Sequence, residues 1–572
     1  MGVPGFFAWL LKHNVHNNII LHKLDNINNL YFDANCLFHP KCFDILKLYS
    51  NITDVDKLEN LMIERIIKYI NYIIDFVKPT DLIYIAVDGV APVAKINQQR
   101  KRRYKSVIDN NFIIELNKKY KKNHNDIWSN IVITPGTNFM IKLDNALTKY
   151  ISTFQNIKII YSSYKECGEG EHKIIRYIKT QNDKNRRHVI YGLDADLIFL
   201  SIGANNNINE MFLLREFNHV KNINAPLTEE VNEKLCYLSI NNVITTYNEY
   251  IINKLQDNAD ILDIDFDDKN NIFDFSKDFI ILCFLLGNDF IPGLPSINIR
   301  NYGIEYLTEA YCRMFCYTKS YLYDDKNNKL NLNNFKLILD YIQDLEHEYF
   351  TETLPQYQKK FRYKKFTGTD NYEREIFNRD NLINIKHTDN IKLGQDTKDL
   401  YKFRYYEHNF NSRINQDKMI DKICHNYIDM IHWILQYYFD VNMPSWRFYY
   451  QFNHAPFASD IFKYITKLTN ITKLTNITKL TNITKLNSDD KYWNFDIKYE
   501  IALPIESQLI CIIPPKYNKI FNKTIQKKYN RNLSSNISRF MLPTHVEIEY
   551  DKEMYWMCEP KLPMLDIELF TI

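Results

Sequence analysis

Between Leu58 and Val77 the apolar residues fall at Leu58, Leu61, Met62, Ile66, Ile70, Ile73, Ile74 and Val77, with Lys and Glu in the gaps. That spacing predicts one face of a helix, broken at Pro79. Directly after it, Leu82 to Val87 is a short β-branched and aromatic run, a buried strand by composition, ending at Asp88 and Gly89. The same order recurs: Glu171 to Lys179 reads as a helix, His188 to Leu193 as a strand ending at Asp194, and Leu197 to Ile202 as further apolar structure. Alternation of this kind predicts an α/β domain with a largely parallel sheet, whose ligands bind beyond the carboxyl ends of the strands. Ser276 to Gly287 returns as a buried helix leading to Asn288 and Asp289, whereas Asn218 to Lys277 mixes polar residues, the acidic run DIDFDD and a few apolar stretches, and assigns no element.

Glu352 to Thr397 is polar and charged with little periodicity, which makes it a linker or surface excursion, and a second body begins near Leu400. Ile465 to Leu486 holds the hexapeptide ITKLTN three times and then ITKL. Repeats of that shape need a longer array to bury their faces, so a surface insertion without chemistry of its own is expected rather than a solenoid turn. The NIT triplets match a glycosylation sequon, which carries no meaning in a cytosolic protein.

At 572 residues and 45% hydrophobic, the chain buries a large core and is long enough for two or more domains. Its net charge of +3 leaves any nucleic-acid affinity to local patches. The ten cysteines show no paired CxxC spacing; Cys312 and Cys316 share a helix face. They read as reduced thiols of a cytosolic-type compartment, with a structural zinc site as the alternative. The N-terminus MGVPGFFAWLLKH has no basic leader with a small-residue cleavage site, and Phe6 spoils a myristoylation match. The strongest apolar run, Phe279 to Leu286, is far short of the roughly 20 residues of a membrane span. No membrane role is expected.

Candidate chemistry lies at the ends of the predicted strands. Asp33, Asp88, Glu169 with Glu171, Asp194 with Asp196, and Asp289 sit in YFDAN, IAVDGV, GEGEH, YGLDADL and LLGNDF. Each acid taken alone is equally well a capping or turn residue. Together they would repel, by roughly 4 kcal/mol for two carboxylates about 4 Å apart at an effective dielectric of about 20. Hard oxygen ligands gathered at neutral pH suit Mg²⁺ or Mn²⁺. Two such ions clamp the attacking and leaving oxygens of a phosphodiester.

After Asp88 comes GVAPVAKINQQRKRRYKS, where Pro92 sets a helix start and Lys95, Gln99, Arg102 and Arg103 share one face. A run such as RKRRYK is by composition more often a solvated face. Its place directly after a candidate metal-site acid favours instead a grip on a terminal phosphate.

In order along the chain, MGVPGFFAWL, YFDANCLFH, IAVDGVAPVAKINQQRKRRYKS, ITPGTNFM, GEGEHKII, YGLDADLIFL, FLLRE and CFLLGNDFIPGLPSI resemble the first conserved region of the XRN 5′→3′ exoribonucleases. YYEHNF, ICHNYIDMIHWILQYY, PSWRFYYQFNHAPFASD and MLPTHVEIEYDKEMYWMCEPKLPMLDIE resemble their second. The resemblance spans nearly the whole chain apart from the middle excursion and the repeat. It implies a PIN/flap-nuclease-like core with a largely parallel central sheet flanked by helices, and a second, mostly helical region wrapping it. Residues 1–351 would be the nuclease core with its metal site, 352–397 the linker or excursion, and 398–572 the second region closing the active site, with the repeat insertion at 465–486.

By the same resemblance the seven acids are the catalytic ligands of two Mg²⁺ ions, with Mn²⁺ an alternative. Lys95, Gln99, Arg102 and Arg103 are the pocket for a 5′-monophosphate. His39 would stack on the first base; a lone histidine after a strand is more often a core or capping residue, so the motif alone carries that role. The family's aromatic partner falls in SWxWYY, where this chain has Trp446 and then Phe448, and Trp446 is the expected stacker. Gly5 stands where the family usually has lysine and Ala8 where arginine is common, which would weaken an N-terminal contact to substrate. There is no zinc knuckle. The chain stops at Ile572, directly after the second region, so a minimal catalytic core without appended barrel and winged-helix domains is expected. The abundance of Asn, Ile, Lys and Tyr points to an AT-rich genome, that of a large DNA virus or a protist.

The expected activity is processive hydrolysis of single-stranded RNA from a 5′-monophosphate end to nucleoside 5′-monophosphates. The enzyme would be a monomer, cytoplasmic (a host's cytoplasm if viral) or nuclear, served by a decapping or RNA-processing partner. A flap-type DNA nuclease uses a similar acid set but usually follows its last aspartate with a glycine-rich helix-hairpin-helix, which IPGLPSINIR lacks. A catalytically silent RNA-binding scaffold is the other rival.

Overall fold

The computed structural model describes residues 3, 5–13, 19–122, 128–181, 184–205, 209–217, 233–256, 273–362, 364–383, 385, 389–478, 493, 495, 500–534 and 540–570. The acidic run DIDFDD and the end of the hexapeptide repeat, 479–486, lie outside the described residues. The chain divides into two compact units. A sheet unit comprises 11–244, 500–547 and 560–572, and a helical unit 1–10, 245–499 and 548–559.

In the sheet unit seven strands are ordered β1-β7-β6-β5-β2-β3-β4. They are β1 Ile20–Leu21, β2 Asn29–Asp33, β3 Leu82–Ala86, β4 Lys158–Ser162, β5 Arg187–Tyr191, β6 Glu210–Glu216 and β7 Leu235–Ser239. Strands β2 and β3, β3 and β4, β2 and β5, and β5 and β6 pair in parallel, while β7 runs antiparallel to β6 and β1. The chain moves outward from β2 through β3 to β4 and then returns to β5 on the other flank of β2. The crevice between β2 and β5 is therefore the topological switch point, where open parallel sheets bind their ligands. Every residue of β2, β3 and β7 is buried, the condition that makes central strands read as continuous apolar runs.

The expected helix before β3 spans Val55–Val77; Asp54 caps it by accepting from the backbone N–H groups of Asp56 and Lys57, and Lys78 ends it in the left-handed region. Its Met62, Ile66 and Ile70 join Leu37, Phe139 and Leu143 from neighbouring helices and Leu30, Phe32, Ile83 and Ile85 from the sheet in one core. The strand expected to reach Leu193 stops at Tyr191, and Asp194 lies in the loop beyond it. The helix after GEGEH spans Gly170–Thr180 and the next Asp196–Ala204.

The helical unit holds Ser276–Phe284, Gly303–Thr318, Leu332–Glu348, Lys398–Phe410, Gln416–Phe439 and Ala458–Thr478, with a short hairpin of Tyr323–Asp324 and Lys329–Leu330. Leu332–Glu348 packs between Gly303–Thr318 and Ala458–Thr478. Buried polar groups fix that packing: Glu346 accepts from the Ala458 N–H at 3.0 Å and from the Ser459 hydroxyl, and Lys402 pairs with Asp460 at 2.6 Å. The segment expected as linker carries the helices Leu354–Arg362, where Tyr357 is buried, and Asn371–Asp380, no residue of which is buried. The repeat begins inside Ala458–Thr478, with Ile465 buried. No helix among the described residues is long and apolar enough to cross a membrane.

Candidate active site

The parallel register delivers six of the seven acids to one edge of the sheet unit. Asp33 is the last residue of β2, Asp88 follows β3 by two residues, and Asp194 follows β5 by three. Glu169 caps the helix Gly170–Thr180 and Glu171 lies in its first turn, while Asp196 opens Asp196–Ala204. Carboxylates suit the positive ends of helices. The backbone closes tightly around them: Gly89 N–H donates to Gly168 O at 2.9 Å and Gly168 N–H to Val90 O at 2.7 Å. A Cβ on Gly89 would stand 1.7 Å from the Glu166 carbonyl oxygen, so only glycine permits this approach. Gly170 donates its N–H to Asp88 Oδ1 at 2.7 Å, and a Cβ there would stand 2.9 Å from Asp33 Oδ1 and 3.4 Å from Asp88 Oδ1.

Crowding shows in the titration of these groups. Burial, reinforced by Asp88, Asp194 and Glu169, pushes Asp33 up to about 7. Burial and Glu169 raise Asp88, and burial with Asp194, Glu169 and Asp196 raises Glu171 well above the carboxylate range despite the opposing charge of Lys95. The carboxylates are drawn to separate partners. Cys36 Sγ donates to Asp33 at 2.7 Å; Asn35 donates to Asp88 Oδ2 at 2.8 Å and accepts its N–H at 3.2 Å; Lys95 Nζ pairs with Glu169 at 2.6 Å. Among the described residues no three His, Cys, Asp or Glu side chains are disposed to hold a metal ion as they stand. The donor set is nevertheless one of hard oxygens whose mutual repulsion a divalent cation relieves, and it fits Mg²⁺ or Mn²⁺ in chemistry.

The basic helix spans Val93–Lys119 behind its cap Pro92. Lys95, Gln99 and Arg103 are buried one turn above another, and Arg102 beside them is exposed. Burial and the adjacent Arg102, opposed by the charge of Asp88, press Arg103 down to about 9, so it remains a cation at neutral pH. His39, on the helix Ala34–Leu48, is held neutral: burial, then the fields of Arg102 and Arg103, lower it to about 3. The imidazole and the two guanidinium groups thus share one neighbourhood. Lys95 links that neighbourhood to the acids.

Asp289 and Trp446 belong to the helical unit. Asp289 lies half-buried on the turn after Ser276–Phe284, where Gly287 takes a φ of 90° against the backbone of Gly293 and Asn288 Oδ1 accepts from the N–H groups of Phe290 and Ile291. Trp446 is half-buried in a loop that Ser445 shapes by accepting from the N–H groups of Arg447 and Phe448. The Phe448 ring is engaged edge-on by Phe495 at 5.0 Å.

Residue patterning missed four groups that hold the acid edge in shape. They are Asn35 and Cys36, Lys173, whose Nζ donates to Val87 O at 2.8 Å and Ser163 O at 2.9 Å, and Arg215, which donates to Leu193 O. Asn35 carried a signal, a short polar side chain two residues after a strand-end aspartate; Arg215, inside the apolar FLLRE, carried none.

A parallel sheet with helices on it, carboxylates along its carboxyl edge and a basic helix beside them defines a PIN-like α/β core. The family model for the XRN 5′-3′ exonuclease N-terminus matches residues 1–217, and that for the Xrn1 helical domain matches 266–387 and 377–491. The chain belongs to the XRN 5′-3′ exonuclease family. It is 30% identical to 5′-3′ exoribonuclease 1 of Homo sapiens over 525 residues, which cover 81% of this chain and 29% of the relative. It is 26% identical to 5′-3′ exoribonuclease 1 of Saccharomyces cerevisiae over 597 residues, 81% of this chain and 37% of that one. Against 5′-3′ exoribonuclease 2 of Arabidopsis thaliana it is 26% identical over 711 residues, 99% of this chain and 66% of the relative. The chain therefore spans between about a third and two thirds of the length of these relatives.

Proposed function

We propose that this protein is a metal-dependent 5′→3′ exoribonuclease that degrades single-stranded, 5′-monophosphorylated RNA processively to nucleoside 5′-monophosphates. The observation that carries the reading is the single neighbourhood in which six buried or half-buried carboxylates meet, through the Lys95–Glu169 pair, the basic helix and a neutral His39. Lys95, Gln99, Arg102 and Arg103 receive the terminal phosphate, with donors matched to a dianion. His39, uncharged, presents a ring face to the first base, and Trp446 is the proposed second stacker on the strength of its sequence motif alone. Asp33, Asp88, Glu169, Glu171, Asp194 and Asp196 hold the metal, and Asp289 joins them on the strength of its LLGNDF motif. Two Mg²⁺ ions bound there would activate a water and stabilise the leaving oxygen. A capped or triphosphate end is refused for lack of matching donors. The enzyme works as a monomer in the cytoplasm, on ends exposed by a decapping or processing partner.

The test is a time course on RNAs that differ only at the 5′ end, with Mg²⁺ and with EDTA. Mg²⁺-dependent release of nucleoside 5′-monophosphates from the monophosphate end is expected. Equal decay of monophosphate and triphosphate RNA would refute end recognition, and undiminished decay in EDTA would refute the metal.

A further inference from the structure

The basic helix carries two stripes. Lys95, Gln99 and Arg103 form the one already described. Ile96, Arg100 and Tyr104, each one residue further along, form a second, turned about 100° from the first. This second stripe is the more deeply buried, with Ile96 and Arg100 at 0% and Tyr104 at 3% exposure. A guanidinium so placed is costly unless its N–H groups are satisfied. Arg100 Nη1 donates to the carbonyl of Pro563 at 2.7 Å, Nη2 donates to that of Met541, and the group lies 5.8 Å from the Tyr104 ring centre. Both of these acceptors are main-chain carbonyls, from two late segments of the sheet unit.

A second tie lies just before the helix. Gln508, 1% exposed, accepts the Ala91 N–H through Oε1 at 2.8 Å. Its helix, Ile505–Ile512, packs along the basic helix. The fit there leaves no slack: a Cβ on Gly136, in the ITPGTNFM loop, would stand 2.5 Å from Ile505 Cγ2. Together Gln508, Met541 and Pro563 form a back wall that fixes both the start of the basic helix and its rotation about its own axis.

We infer that Arg100 is a positioning residue for the 5′-phosphate pocket: by locking the roll of the basic helix against Met541 and Pro563, it aims Lys95, Gln99 and Arg103 and so sets the preference for a phosphorylated end. The inference rests on the phosphate-pocket reading above. A roll of about 20° moves a group about 6 Å from a helix axis by about 2 Å, and misplacement on the ångström scale costs on the order of 10²-fold in positioning.

Arg100→Met keeps the apolar stem and removes both donors, and Arg100→Lys keeps the charge and one donor. For each, kcat and KM are measured with Mg²⁺ on RNAs ending in a 5′-monophosphate and a 5′-hydroxyl, with Arg102→Ala alongside. Arg100→Met is expected to lower the monophosphate preference by about tenfold, through KM, and Arg100→Lys to restore part of it. A purely structural role lowers kcat on both ends equally and leaves KM and the preference untouched; that result overturns the inference. If Arg100→Met does not fold, the same ratio read on Arg100→Lys decides. If Arg102→Ala retains the full preference, the pocket reading itself fails and the inference with it, a pattern distinct from loss in Arg102→Ala with none in the Arg100 variants.

Discussion

The acid edge and the basic helix lie in the same unit and carry opposite charge, yet they are assembled by different means. At the edge, parallel register forces like charges together: β2, β3 and β5 each end by delivering an aspartate to one place, and burial then raises Asp33, Asp88 and Glu171. On the helix, Lys95 and Arg103 stand two turns apart on one stripe with Arg102 beside the latter, and the helix is held from behind by main-chain carbonyls. The edge stores electrostatic cost that a divalent cation releases. The helix stores geometry. Losses at the edge should therefore stop turnover, whereas losses on the helix should blur the choice of end.

The largest expected effect follows from that contrast. Asp194→Ala should reduce hydrolysis of labelled monophosphate RNA by about 10³-fold or more, since several kcal/mol of charge stabilisation is lost with a metal ligand. A drop of less than tenfold would place Asp194 outside the ligand set. Next, Arg102→Ala should cut kcat/KM on monophosphate RNA by about 10–100-fold, the worth of a charge-assisted hydrogen bond of about 1.5–3 kcal/mol. His39→Ala should lose about tenfold, as expected for one stacked base, and should do so alike for RNAs with different first bases.

The smallest effect sharpens the electrostatic half. Asp33 has its folded value raised to about 7 from an ordinary 3.8, so the folded state binds its proton more tightly than the unfolded state does. Its contribution to stability is fully present below the unfolded value and is lost as pH rises through 7. In EDTA, the protein should lose on the order of 1 kcal/mol between pH 6.5 and 8 in thermal or denaturant melts, Asp33→Asn should abolish much of that slope, and Mg²⁺ should reverse it. Below pH 6.5 the neutral His39 acts in the opposite sense, because the unfolded state then takes up the proton that folded His39 refuses. A flat profile in EDTA from pH 6.5 to 8 would show that the carboxylates do not burden the fold.

Much of the acid edge was legible in the chain because strand-end acids need only local pattern: YFDAN and IAVDGV announce both the strand and its terminal carboxylate. The helix starts at Pro92 and Ser276 were legible for the same reason, whereas the helix read from Leu58 starts three residues earlier, at Val55 behind its cap Asp54. What stayed hidden depends on distance along the chain. The antiparallel strands β1 and β7 lie in a two-residue stretch and beside a polar region, where alternation says little. In RKRRYK, composition sees equivalent cations; the packing of Ile505–Ile512 and the carbonyls of Met541 and Pro563 set Arg100 apart from Arg102, the one buried and the other exposed. The Lys95–Glu169 pair and the reach of Arg102 and Arg103 to His39 likewise depend on tertiary approach.

The tie between Arg100 and Pro563 spans 463 positions of sequence. Translation at about 5–20 residues per second puts on the order of half a minute to a minute and a half between the emergence of the guanidinium and that of its acceptor. Until Met541 and Pro563 are made the back wall consists of Gln508 alone, so on the reading proposed above a nascent chain stalled before residue 541 should discriminate poorly between RNA ends. Competence to select an end would therefore depend on carbonyls 441 and 463 positions beyond the guanidinium they hold, and would arise only once both have been made.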